Sequence, residues 1–308
     1  MADKFIVTTS IYSPSEALLK FAKMKDWTVI VIGDLKTPHS EYEELSNVIY
    51  ISPDDQKKRY PELGEAIGWN CIMRRNIGFI EAYRMGAEIV ATIDDDNIPY
   101  DNWGKDILVG KEIEIDCYDT DLICFDPLFV TNYKHLWHRG FPVQLLALRN
   151  CTKSVKKITV DIQAGFWDGD PDIDAICRFE HDPVCSFDRD CFPFTTSAFS
   201  PFNSQNTFLS RDVLKDYFVM PHVGRMDDIW ASYYVEAKGY NVVYSEATVR
   251  QDRNAQNITA NMEKEYIGNS NNLKLLQDLK KDSDNFYKYL PERTQKAFDL
   301  YRKYFINE

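Results

Sequence analysis

The chain has 308 residues, with 44% apolar and 14% aromatic content. That suits one large α/β domain or two modest ones with a sizeable core, and argues against a disordered chain. A formal net charge of −12 argues against a general nucleic-acid binder, which would carry a basic face, yet leaves room for a local basic pocket around a phosphorylated ligand.

In chain order, "KFIVTTSIY" (4–12) predicts a strand, and "SPSEALLKFAKMK" (13–25) a helix capped by Ser13 with Pro14 in its first turn. "WTVIVIGD" predicts a second strand ending in Gly33-Asp34, and "NVIYIS" a short third. A long helix is expected over 66–86, "AIGWNCIMRRNIGFIEAYRMG", before a strand "IVATI". Strands alternating with helices in this way predict a mainly parallel sheet covered by helices. "TDLICFDPLFV" reads as a further strand, and from about 132 to 200 the pattern turns irregular, aromatic and rich in Asp and Pro. Loops that long are usually functional. Order returns with "SQNTFLSRDVLKDYF", the helix start "RMDDIWASYYVEAKG" and the strand "YNVVYSEATV". We expect a domain over 1–257 and a helical extension over 258–308 packed on it.

Seven cysteines without a CxxC pair suggest neither a zinc knuckle nor a disulfide framework and fit reduced thiols. The N-terminus lacks the apolar core of a signal peptide, and no 18-residue apolar run occurs. The expectation is a soluble, cytoplasmic protein with peripheral membrane association left open.

The strand "IVATI" drives directly into Asp94, Asp95 and Asp96. Two such charges about 4 Å apart repel by ~4 kcal/mol at an effective dielectric of about 20. A cation converts that repulsion into binding, and strand ends of α/β sheets are where ligands sit. The plainer alternative is an acidic turn, since Asp-Asn-Ile-Pro is good turn chemistry. Arg74 and Arg75, on the preceding helix, are solvated in the plain reading and phosphate-binding in the functional one. Gly-rich dinucleotide, P-loop, HExxH and GxSxG patterns are absent. Asp168, Asp170, Asp172 and Asp174 resemble a calcium loop only superficially: Ile173 stands where an EF-hand needs Gly, and Phe179 where it needs Glu. These acids cannot all be buried unpaired, so some are expected to line a wet, polar pocket. Trp137, Phe141, Phe166 and Trp167 could stack on a ligand, but each is more simply core.

A strand with "TTSIY", a second ending in Asp34, a helix with Arg-Asn-x-Gly and a strand ending in Asp-x-Asp together resemble the GT-A fold of nucleotide-sugar glycosyltransferases. "RGFP" (139–142), "GFWDGDPDIDA" (165–175), "PFNSQNTFLSRDVL" (201–214) and "GRMDDIWASYYVEAKG" (224–239) resemble the STELLO glycosyltransferase-like family. The same blocks are more distantly similar to UDP-arabinopyranose mutases, the reversibly glycosylated polypeptides. The likeness spans roughly 5–257.

The resemblance implies a metal-dependent, inverting transfer of a sugar from a UDP-sugar to a hydroxyl of a carbohydrate acceptor. Thr8, Thr9 and Asp34 would contact the nucleoside, Arg75 a phosphate, and Asp95 the nucleotide. Asp94 and Asp96 would bracket Mn²⁺ or Mg²⁺. A third ligand would follow the last strand, where Gln251 and Asp252 stand; Asp252 is the harder oxygen donor. Asp228 would deprotonate the acceptor and Asp227 orient it. The plain reading of that pair is a favourable helix-dipole contact worth ~0.3–1 kcal/mol. Two alternatives remain, a UDP-sugar mutase and a nucleotide-sugar-binding scaffold without catalysis. In the mutases the glycosylated arginine lies four residues beyond the Tyr-Pro pair; here Leu146 occupies that place, with Arg149 three residues on.

Overall fold

The computed structural model describes residues 3–251 and 257–306. Its first part runs β1 (Lys4–Ser10), α1 (Glu16–Phe21), β2 (Thr28–Gly33), α2 (His39–Glu43), β3 (Val48–Ile51), α3 (Pro53–Arg59), α4 (Pro61–Ile67), α5 (Arg75–Arg84) and β4 (Ile89–Ile93). There follow β5 (Asn97–Pro99), β6 (Glu112–Asp119), β7 (Thr152–Thr159), β8 (Ile162–Gly165), β9 (Asp168–Gly169), α6 (Ala175–Glu180), β10 (Phe194–Thr195) and β11 (Asn206–Ser210). The last part is α7 (Asp227–Ala237), β12 (Val242–Ser245), β13 (Val249–Gln251), α8 (Ile258–Leu279) and α9 (Glu292–Arg302).

Among the described residues one large sheet has the order β3-β2-β1-β4-β11-β8-β12-β10-β6-β7, and β5-β13-β9 form a small second sheet. The β3-β2-β1-β4 portion is parallel throughout, whereas β11 runs antiparallel to β4 and β8. This is the α/β arrangement that the alternating strands and helices predict. Both faces of the parallel part are covered, so β2 is an unbroken buried run, Val29-Ile30-Val31-Ile32, without polar alternation. Successive side chains enter opposite cores. Ile6, Val29 and Val31 join Phe21, Trp27 and Trp103 on one face, while Val7, Ile30 and Ile32 join α5 on the other.

Some local expectations are corrected. Ser15, not Ser13, caps α1: its hydroxyl accepts from the Leu18 amide at 3.1 Å, and Pro14 lies ahead of the cap. The helix expected over 66–86 is divided. Gly68 at φ +91° and Asn70 at φ +56° end α4 and turn the chain before α5. Segment 120–130 is not a strand, because Pro127 lacks a ladder N–H and Asp126 accepts from the Leu128 amide at 3.1 Å to open a 3-10 turn. The strand lies earlier, at β6, and pairs with β7 inside the stretch read as irregular.

The tail from 258 packs on the same core. Phe298 and Tyr301 meet Phe218 with ring centroids 5.3 and 4.8 Å apart, and α8 turns Glu265 and Asn272 inward. No described helix is long and apolar enough to cross a membrane, and the cysteines are free thiols.

This topology gathers distant segments on one rim. β1, β2 and β4 end there, and the antiparallel β11 begins there, with Asn206 opposite Ile93. β8 and β12 also finish at that edge, Gly165 beside Ser245. The small sheet then joins β5, which follows the acidic triplet, to Gln251 and Gly169.

Candidate active site at the carboxyl edge of the sheet

Asp94 and Asp95 leave β4 half-buried, and Asp96 is exposed. Asp94 is held on both oxygens: Oδ1 accepts from Arg75 Nη2 at 2.7 Å, and Oδ2 from Gln205 Nε2 at 3.0 Å. Gln205 Nε2 also donates to Gln251 Oε1 at 3.0 Å, and Gln251 Nε2 donates to Asp96 Oδ1 at 2.9 Å. Two side-chain amides therefore span the outer carboxylates and set their separation. Partial burial, with the charges of Asp94 and Asp96 alongside, pushes the Asp95 carboxyl up to about 6, against a hydrogen bond to Ser10.

Among the described residues no three His, Cys, Asp or Glu side chains converge into a ready-made cation cage. Asp94 and Asp96 still offer hard oxygen donors, and a carboxylate oxygen accepts more than one partner. Such an open pair suits Mg²⁺ or Mn²⁺ that completes its coordination with phosphate oxygens and water. Gln251 is buried in the amide bridge just described, and Asp252 lies outside the described residues.

Arg75 is 1% exposed and is not presented to a phosphate. Its Nη1 donates to Ser204 O at 2.9 Å, Ser204 Oγ at 2.8 Å and Thr92 Oγ1 at 3.2 Å, while Nη2 holds Asp94. In this arrangement it orients Asp94. Arg74 is likewise buried, donating to Gln56 and the Gly64 carbonyl and stacking 3.8 Å from the Trp69 ring centre. The rest of the Arg-Asn-x-Gly pattern is packing: Asn76 bonds Val219 through both amide atoms, and a Cβ on Gly78 would lie 2.4 Å from Val7 Cγ1. Only glycine lets α5 approach β1 that closely.

Thr8 is fully buried within β1, and Thr9 is half-buried. Asp34 is enclosed at the end of β2, accepting from the amides of Leu35 at 2.6 Å and Cys71 at 3.1 Å. It ties the loop before α5 to the end of β2.

Behind the rim lies a second set of charges centred on Arg139. Its Nε and Nη2 grip Asp172 Oδ1 and Oδ2, each at 2.7 Å, and Nη2 also donates to Asp228 Oδ1 at 3.0 Å. Asp228 Oδ2 accepts from the Ser204 amide at 3.0 Å and hydroxyl at 3.1 Å. Asp228 is thus 3% exposed with both oxygens engaged. Burial alone would raise its pKa, but Arg139 and the Ser204 amide hold it below the usual carboxylate range. Asp227 behaves oppositely. Burial and the Asp228 charge push its carboxyl up to about 7, and Arg139 Nη1 stands back at 3.6 Å. A carboxyl pair whose members titrate far apart is a pair with divided roles.

The wet pocket expected from the run 168–174 is not what these acids build; each has a partner. Asp168 accepts from Tyr100 Oη at 3.0 Å, Asp170 pairs with Arg178 at 2.5 Å, Asp172 holds Arg139, and Asp174 caps α6 through the Ile176 amide at 2.8 Å. Trp137, Phe141, Phe166 and Trp167 are all core.

The sequence assigned no role to Arg139, Ser204, Gln205 or Glu265, and none to Asp172 beyond the expected wet pocket. Glu265, on α8, holds Arg225 Nε at 2.7 Å and the Ala175 amide at 2.7 Å, so the tail buttresses this cluster. The signals were polar residues inside otherwise apolar or aromatic blocks. Their meaning needed partners 33 and 89 residues away, the separations of Arg139 from Asp172 and Asp228.

No family model matches the chain. Over 82% of its length it is 24% identical to a protein of Arabidopsis thaliana named probable glycosyltransferase STELLO2, and 23% identical to probable glycosyltransferase STELLO1 of the same plant. The chain spans 36% of the length of each. A solved structure of glucosyl-3-phosphoglycerate synthase from Mycobacterium tuberculosis, in complex with phosphoglyceric acid, matches at a TM-score of 0.45 and 13% identity, covering 88% of this chain and 80% of that one. That likeness is too slight to bear on function. The resemblance read from the motif blocks thus agrees with these relatives: the chain is similar to the STELLO probable glycosyltransferases.

Proposed function

We propose that this chain is a metal-dependent, inverting glycosyltransferase that moves a sugar from a UDP-sugar to a hydroxyl of a carbohydrate acceptor. One observation carries the reading. The acidic strand end and the acidic helix start are joined at one rim by the hydrogen-bonded chain Asp94–Arg75–Ser204–Asp228. The similarity to probable glycosyltransferases supports the same reaction class.

In this reading Asp94 and Asp96 hold Mn²⁺ or Mg²⁺, which when bound offsets the charge growing on the leaving diphosphate. Thr9 and Asp34 stand at the strand ends where the nucleoside lies, and Thr8 backs β1. Asp95 stays beside the nucleotide. Arg75 acts by fixing Asp94 instead of by touching phosphate. The base role passes from Asp228 to Asp227, because Arg139 and Ser204 hold the Asp228 carboxylate below its usual range, whereas the Asp227 carboxyl is raised to about 7. Asp227 takes the acceptor proton as the hydroxyl oxygen attacks the anomeric carbon and the bond to the diphosphate breaks. Attack from the opposite face inverts the configuration. Asp228, kept ionised by Arg139, stabilises the protonated Asp227.

Asp96→Asn is expected to weaken Mn²⁺-dependent UDP binding at least tenfold. Calorimetry with Mn²⁺ or EDTA checks it, and equally tight binding in both would remove the metal from the proposal. Asp96 is the better choice than Asp94, whose loss also strands buried Arg75.

Of the two other readings, the mutase is the weaker. Leu146 offers no nucleophile, and Arg149 cannot replace it: Nη1 is held by Asp126 Oδ2 and the Leu136 carbonyl, both at 2.7 Å. Intact-protein mass spectrometry after incubation with UDP-sugars should show no sugar adduct. A pentose or hexose increment lost on adding UDP would restore the mutase. A scaffold would bind UDP-sugar without releasing UDP.

A further inference from the structure

A cleft of about 750 Å³ opens between the loop joining α4 to α5 and the C-terminal helices, and none of Asp94, Asp95 and Asp96 lines it. In a protein of net charge −12 this cleft is basic. Lys57, Lys264, Arg293 and the His222 imidazole line it, against one carboxylate among its described lining residues, Glu65.

Two of those groups also have a structural task. Arg293 Nε donates to the Ala66 carbonyl at 3.0 Å, Arg293 Nη2 to that of Glu65, and His222 Nε2 lies 3.0 Å from Ala66 O. These contacts close the C-terminal end of α4, whose last carbonyls lack intrahelical partners. The Arg293 charge remains in the cleft. Lys264 has no side-chain hydrogen bond or ion pair among the described residues, and Lys57 meets the exposed Asp54 at 3.1 Å and lies 5.8 Å from the Trp69 ring centre. An exposed pair of that kind holds a lysine weakly. On the wall, Trp69 is fixed by the Arg74 guanidinium stacked on its ring. His222 holds φ +64°, uncommon for a side chain bearing a Cβ and concentrated at ligand clamps.

We propose that this cleft binds a small anionic molecule bearing phosphate or carboxylate, at a site separate from the acidic rim. The cleft adjoins both halves of the proposed active site. Cys71, on its wall, donates its amide to Asp34, and Gly224, also on its wall, lies three positions before Asp227. The anion is either a substituent of the acceptor or a free ion that acts on the protein.

Inorganic phosphate, titrated into the whole chain in EDTA, is the probe. Saturable binding is expected, weakened at least tenfold in Lys264→Glu and further in the Lys57→Glu/Lys264→Glu double variant. Both lysines are exposed, so melting temperatures should hold. Asp96→Asn should leave phosphate binding unchanged. Absence of saturable binding, or binding indifferent to Lys264→Glu, overturns the proposal. Phosphorylated and plain sugars, offered as acceptors, separate the two sources. A higher KM for the phosphorylated sugar alone in Lys264→Glu places the anion on the acceptor, and turnover altered by phosphate that is not consumed marks a free ion. Because the phosphate titration needs no turnover, this site can stand or fall apart from the transferase reading.

Discussion

Asp227→Asn is expected to lower UDP-sugar turnover by ~10²–10⁴-fold, the contribution of a positioned general base. UDP affinity should change little, since the donor is held at the other end of the rim. The pH profile supplies a second readout. A base must be unprotonated to act, and the Asp227 carboxyl is raised to about 7 by burial and by Asp228. Turnover should therefore fall as pH drops through neutrality and level off above it, and Asp227→Asn should remove that acidic limb. Asp228→Asn has a different signature. Its oxygens already serve Arg139 and Ser204, so an amide there places N–H groups against donors and should lower the melting temperature. Retention of more than a third of wild-type turnover in Asp227→Asn, with the loss appearing in folded Asp228→Asn, would return the base role to Asp228.

Arg139→Met should destabilise the fold by about 3–5 kcal/mol, because it leaves Asp172 and Asp228 buried without their shared cation. Urea titration checks the magnitude. Lys20→Met serves as the contrast: it deletes an exposed pair with Glu16 at 2.9 Å, 45% and 69% exposed, for at most about 1 kcal/mol. The Arg139 deficit should narrow as pH falls. Without the guanidinium the folded state raises the pKa of Asp172 and Asp228 above their unfolded values, so the penalty grows as pH rises and fades once both are protonated. A deficit near 1 kcal/mol and independent of pH would mean that the cluster is solvated and that Arg139 does not organise it.

The legible parts of this protein are those with local causes. Four consecutive β-branched residues at 29–32 read as a strand covered on both faces, and the acidic triplet marks the end of another. Asp227 and Asp228 opening a helix were equally plain, since acids favour the first turn of a helix. The chain's tertiary structure decided the rest. Which acid of the pair has the raised pKa depends on Arg139 and on Ser204, and Ser204 reaches Asp228 because it leads into β11, which returns antiparallel to β4. Arg75 looked like a ligand for phosphate because nothing in its neighbourhood in the sequence neutralises it; Asp94 and Ser204 do so only after α5 packs on the sheet. Even the helix over 66–86 was broken by two backbone conformations, at Gly68 and Asn70, that let the loop reach Asp34. Secondary structure follows from side-chain periodicity within a few residues, whereas the charge state and exposure of a carboxylate follow from what the fold places against it.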